Sequence, residues 1–134
     1  MTSEYPPGQN VVFRADFSSD EAWKEVTDLI EKHRGPAEFT LVDDRSHDGL
    51  TREGIIRLAE SAGMTDLDYA FIADARAMND SDHSLLVVDL EYNDPSFRVA
   101  PEFIRSVADN LTVSNLDFED FNEGVDEDGV YRGN

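Results

Sequence analysis

Apolar residues recur along the chain with two different periods, and the alternation between them outlines the fold. In VVFRADF, residues 11 to 17, Phe13, Ala15 and Phe17 alternate with Arg14 and Asp16, the period of a half-buried strand. SSDEAWKEVTDLIEKHRG then places Trp23, Val26 and Ile30 at helical spacing. Ser18 stands three residues before Glu21 as a capping box, and Gly35-Pro36 stops the helix. EFTLVDD, 38 to 44, predicts a second strand, and SHDGL a turn. Thr51 is placed to cap a helix running to about Ala62, with Ile55, Leu58, Ala59 and Ala62 inward and Gly63 as its stop. YAFIADA, 69 to 75, and SLLVVDLE, 84 to 91, read as further strands, the second apolar enough for a sheet interior. Asn93-Asp94-Pro95 turns the chain into the short segment FRV, and Pro101 suits the first turn of a helix carrying Phe103, Ile104 and Val107.

The connections then choose the topology. Residues 18 to 37 and 45 to 68 each hold a helix and are long enough for right-handed parallel crossovers. Residues 76 to 83 are too few for a parallel return, which needs about a dozen, so strands three and four should pair antiparallel, as should strand five across its tight turn. The expectation is one α/β domain over residues 11 to 134, preceded by a loose lead-in over residues 1 to 10. Its mixed sheet has about five strands, the first three parallel and the later ones antiparallel, covered by three to four helices.

The C-terminal stretch NLDFEDFNEGVDEDGVYRGN invites a calcium-loop reading, which its spacing defeats. An EF-hand loop needs oxygen ligands at positions 1, 3 and 5, glycine at 6 and glutamate at 12. With Gly129 at position 6, Gly124 falls on position 1 and position 12 runs off the end; with Gly124 there instead, Phe121 falls on position 3. A helix does better: Phe118, Phe121 and Val125 share one face, Asp117 stands as N-cap, and acidic residues sit beside the positive helix end. Burying two Phe and a Val contributes on the order of 5 kcal/mol before entropy is subtracted. A turn at Asp128-Gly129 and a closing segment with Val130 and Tyr131 packed inside would follow.

Charge narrows the function classes. The 134 residues carry 30 Asp and Glu against 11 Lys and Arg, a formal charge of -19. Direct nucleic-acid binding through phosphates needs clustered cations and is excluded, and anionic membrane surfaces are disfavoured. Lys24 and Lys32 are the only lysines against nine arginines, a usage that fits a GC-rich or salt-loving source and would explain acidity without any partner. With 8 Phe, 4 Tyr and 1 Trp the chain is too aromatic for disorder. There is no cysteine, so thiolate metal sites and disulfides are impossible. No apolar run approaches the roughly 20 residues of a membrane helix, and MTSEYPPGQN lacks the regions of a signal peptide, which points to the cytoplasm.

Chemistry has one distributed candidate. Asp16, Asp43, Asp44, Asp74 and Asp89 all fall at predicted strand ends, and in parallel sheets the carboxyl ends converge on the usual ligand crevice. An antiparallel fourth strand sends Asp89 to the opposite edge. That leaves Asp16, Asp43, Asp44 and Asp74, with His47 nearby, as a set that would hold Mg²⁺ or another divalent cation. The bland alternative is that aspartate at a strand end begins a turn or caps a helix, which 18 aspartates make common by chance. His33 belongs to the last turn of the first helix and His83 to a polar loop; a metal site using His47 and His83 has no ligand spacing behind it. No G-x-S-x-G elbow and no phosphate loop is present, so an enzyme is hard to support.

The stretches VVFRADFSSDEAWKEV, LVDDRSHDGLT, LLVVDLE and FRVAPEFIRSVADNLTVSNLDFEDFNEGVDEDGVYRG together resemble a family of small acidic bacterial domains of unknown function, met mainly in actinobacteria. The resemblance implies one intact domain and brings no catalytic residues. Three functional readings remain. The favoured one is a non-enzymatic module binding a basic protein partner, in the manner of an immunity protein. The others are a cation-dependent domain on the four aspartates, and a nucleic-acid mimic.

Overall fold

Alternation along the first strand decides which side of the sheet each later element must cover. In β1 (Val11–Arg14), Val12 faces one side, while Val11 and Phe13, followed by Ala15, face the other; all four are buried. A strand apolar on both faces belongs inside a sheet with layers on both sides. The computed structural model, which describes residues 10–61, 67–112 and 116–133, has that arrangement. The expected lead-in lies, save for Asn10, outside the described residues, as do Ala62 and Gly63.

The first helix is α1 (Asp20–His33), capped by Ser19, whose hydroxyl accepts from Ala22 N–H. The cap thus falls one residue after the expected Ser18. Ser18 N–H is instead taken by the Asp16 carboxylate in the turn leaving β1. β2 (Thr40–Val42) follows, then a 3₁₀ turn at Arg45–His47, and α2 (Arg52–Ser61), where Thr51 Oγ1 accepts from Gly54 N–H. β3 (Tyr69–Ala73) leads into a short helix that the sequence pattern did not predict, α3 (Ala75–Asn79), and then into β4 (Leu85–Asp89). The chain closes with β5 (Phe97–Val99), a 3₁₀ turn at Pro101–Phe103, α4 (Ile104–Thr112), α5 (Phe118–Glu123) and β6 (Val130–Tyr131).

The sheet order is β2-β1-β3-β4-β5-β6. β1 pairs parallel with both β2 and β3, and β4 runs antiparallel between β3 and β5, as the short connections dictate. The sixth strand exceeds the expected five: β6 adds parallel to β5, with Arg98 opposite Val130. Two residues long, it is too short to show a period, so the sequence reveals it only as a closing apolar segment.

Four helices cover one face. Val26 and Ile30 of α1, Ala77 and Met78 of α3, Ile104 and Val107 of α4, and Phe118 and Phe121 of α5 pack on Val12, Phe71, Val87, Phe97 and Val99. The other face carries α2, whose Ile55 packs on Phe13, Ala70, Ile72 and Val88. Asp117 caps α5, and Asp120 returns the hydrogen bond to Asp117 N–H, a reciprocal box that satisfies two helix-end donors. Phe121, 1% exposed, stacks on Phe97 at 5.1 Å and meets Tyr131 edge-on at 5.0 Å; Phe118, 5% exposed, meets Phe97 at 5.3 Å.

Phe121→Ala removes a fully buried ring from this cluster and is expected to cost about 3–5 kcal/mol, measured as unfolding free energy in urea. A loss under about 1 kcal/mol would show that α5 does not belong to the core.

Candidate functional site

The order of the strands sets where a crevice forms. β1 connects to β2 on one side and β3 to β4 on the other, so the carboxyl ends of β1 and β3 flank the point where the winding reverses, the usual ligand position in such sheets. α1 and α2 lie on opposite faces here, and an open pocket of about 480 Å³ beside the β1 and β3 ends and the start of α2 is lined by Asp16, Asp48, Thr51, Arg52, Asp74 and Arg76 among others. The loop from Arg45 is hooked onto β1 by Gly49 N–H, which donates to Ala15 C=O at 2.7 Å.

All four strand-end aspartates reach this edge of the sheet, and each has a structural task. Asp16 takes Ser18 N–H at 2.9 Å. Asp44 takes Ser46 N–H at 2.9 Å and caps the 3₁₀ turn; that backbone donor holds its carboxyl below the ordinary aspartate value. Asp43 lies 3.3 Å from Arg14. Asp74 caps α3 through Ala77 N–H and binds Arg98 through both carboxylate oxygens, at 3.0 and 2.6 Å. The set is therefore divided: Asp43 and Asp74 go to two different guanidinium groups, and Asp16 and Asp44 to backbone N–H groups. Among the described residues no three His, Asp or Glu side chains are grouped as a metal ion would require. His47 is buried edge-on against Phe13, while His83 lies on the other face, its Nδ1–H donating to Ala77 C=O and its Nε2 3.3 Å from Glu25.

Arg14 and Arg98 are the site residues that sequence reasoning missed. Arg98 is 8% exposed; its Nε donates to Ser84 Oγ at 3.0 Å and its Nη2 to Ser84 C=O at 2.8 Å, beside the Asp74 pair. The signal was present: an arginine between Phe97 and Val99 in a buried strand must find a carboxylate. Arg14 gathers Asp20 at 2.8 Å as well as Asp43, and lies over the Phe17 ring at 4.3 Å. Asp89 sits at the opposite edge, as an antiparallel β4 requires, and its buried carboxylate collects the N–H groups of Glu91, Tyr92 and Asp94. Beside it, burial raises the Asp68 carboxyl above its ordinary value, with the charges of Glu91 and Asp89 adding to the effect.

A second feature is the C-terminal arm. From Ser106 to Tyr131 the chain carries eight acidic residues and no basic one. Asp126 and Asp128 are bound by Arg132, which also reaches Asp82, and Arg76 donates to Asp128 C=O. Glu119, Glu123 and Glu127 are exposed, and no ion pair engages them among the described residues.

Hydrogen bonding from Arg132 holds Asp128 at about 2, against 3.8 for an ordinary aspartate. A depressed folded value means that its stabilising effect is full above about pH 4 and is lost as pH falls through about 2. The difference in Tm between the native chain and Asp128→Asn should thus be constant from neutral pH down to about 4 and close by about pH 2. A difference that persists unchanged to pH 2 would contradict the assignment.

No helix of the described residues is long and apolar enough to cross a membrane. No curated protein matches the sequence. A family described as a domain of unknown function, DUF6924, matches residues 9–134, and the chain belongs to that family.

Proposed function

We propose that this domain is a non-enzymatic interaction module that binds a basic protein, with the C-terminal arm as its contact surface. The supporting observation is the placement of Glu119, Glu123 and Glu127, exposed on a segment whose Phe118 and Phe121 are anchored in the core. Charges on a fixed frame lose little conformational freedom when a partner is bound, and a field of one sign raises the rate of capture. By contrast, most charged groups around the β1–β3 crevice are engaged within the molecule: Asp74 with Arg98, Arg76 with Asp80, and Arg52 with the Asn93 side chain. Several basic side chains elsewhere are similarly held. Arg34 pairs with Glu31, Lys24 with Asp28 and Arg105 with Asp109, so few cations oppose the arm's field.

The test is recovery of a defined partner from the source organism by the native chain and by Glu119→Gln/Glu123→Gln/Glu127→Gln. The native chain should recover a basic protein at low salt and lose it by about 0.5 M salt, where screening reaches a few ångströms. The triple variant should bind that purified partner at least tenfold more weakly, a loss of about 1.4 kcal/mol. Equal binding by native chain and variant, or a complex indifferent to salt, would overturn the proposal.

A further inference from the structure

The two edges of the sheet are finished differently. At β6, Asp126 N–H donates to Val130 C=O at 3.0 Å, and Val130 N–H donates to the Asp128 carboxylate at 3.3 Å. Gly129 C=O and Tyr131 C=O accept from β5, so Val130 carries the outward groups of this strand, and its own turn occupies them. Among the described residues the opposite edge has no such closure. Thr40 N–H is turned inward onto Asn10 C=O at 2.9 Å, so alternation points the N–H and C=O of Leu41 away from the sheet. Among the described residues β2 pairs with β1 alone. Leu41, 41% exposed, is one of two exposed large apolar side chains there. An open edge with an apolar residue at its centre is a template for another strand.

Charge selects which strand. Glu38 and Asp44 stand three residues to either side of Leu41, and both are exposed. A second copy laid antiparallel across a two-fold axis at Leu41 would set Glu38 against Asp44 at both ends, and like charges directly opposite are destabilising. A segment with Lys or Arg three positions to either side of an apolar residue reverses the sign at both ends and covers Leu41 at the centre.

We propose that β2 accepts an extended basic segment of a partner protein as a seventh strand, recognised by a cationic residue three positions to either side of a central apolar one. This rests on the reading that the partner is basic, and it names a different surface from the C-terminal arm. With strands about 4.8 Å apart, the two edges of a six-stranded sheet lie roughly 24 Å from each other, and a peptide paired along β2 runs parallel to its edge and does not reach the other.

The experiment maps amide shifts in the ¹⁵N-labelled full chain on titration with a heptapeptide bearing lysine at both ends, valine at its centre and threonine between. Shifts confined to residues 39–43 with slowed hydrogen exchange at Leu41 are expected. A peptide of equal charge with proline at its centre should bind about tenfold more weakly, since it cannot complete the ladder. Leu41→Pro deletes the outward N–H that the fold does not use and should weaken binding by a similar factor. Glu38→Lys leaves Asp44 acidic, so it should exchange the preference from the lysine-ended peptide to one bearing glutamate at the end that faces position 38 and lysine at the other, and it decides the matter if Leu41→Pro fails to fold. Equal binding of the proline-centred peptide, no shifts at 39–43, or no exchange of preference in Glu38→Lys would overturn the inference. Shifts confined to residues 117–128 would overturn it while supporting the arm as contact surface.

Discussion

The stacking of Phe121 on Phe97 is the contact on which the rest of this molecule depends, because it fixes the most acidic part of the chain to the sheet. Carboxylates along Asp117 to Asp128 repel one another, and without an anchor that segment would extend into solvent. Phe118 and Phe121 bury their rings on one side of α5 while Glu119 and Glu123 stay on the other. The same cluster reaches Tyr131, so it also holds β6 against β5. Core packing and surface charge are therefore two sides of one six-residue helix.

Arginine solves the second electrostatic problem. Arg14 joins the carboxylates of Asp20 and Asp43, Arg132 joins Asp82 with Asp126 and Asp128, and Arg98 ties the one carboxylate of Asp74 to β5. Planar guanidinium with five donors can satisfy several acceptors at once, which a lysine ammonium cannot do in a fixed geometry. That property gives physical meaning to a composition of nine arginines and two lysines. It also accounts for the strand-end aspartates, which serve turns, caps and guanidinium partners.

Much of this was legible in the sequence. The helical period of Val26 and Ile30, the apolar run of β4, the antiparallel turn forced by a short connection, and the Asp117 cap all rest on local patterns that tertiary structure respects. The fate of Asp89 followed from topology alone. What escaped the reading was short or non-local. α3 is five residues and β6 two, less than the period needed to detect them. The displacement of the first cap to Ser19 arises because Asp16 claims Ser18 N–H, a competition between neighbouring turns that spacing does not resolve. Arg98 was visible as a charge within a buried strand, but its partners, Asp74 and Ser84, lie 24 and 14 residues away, and only the folded sheet brings them together.

Hydrogen exchange along α5 tests the central claim most directly. If the aromatic contact fixes the acidic arm, the amides of Phe121 and Asn122 should exchange with protection comparable to those of β4 and β5, opening only with the sheet. Exchange at the rates of an unstructured chain, while β4 and β5 stay protected, would show that the arm is not part of the folded body and would contradict the account.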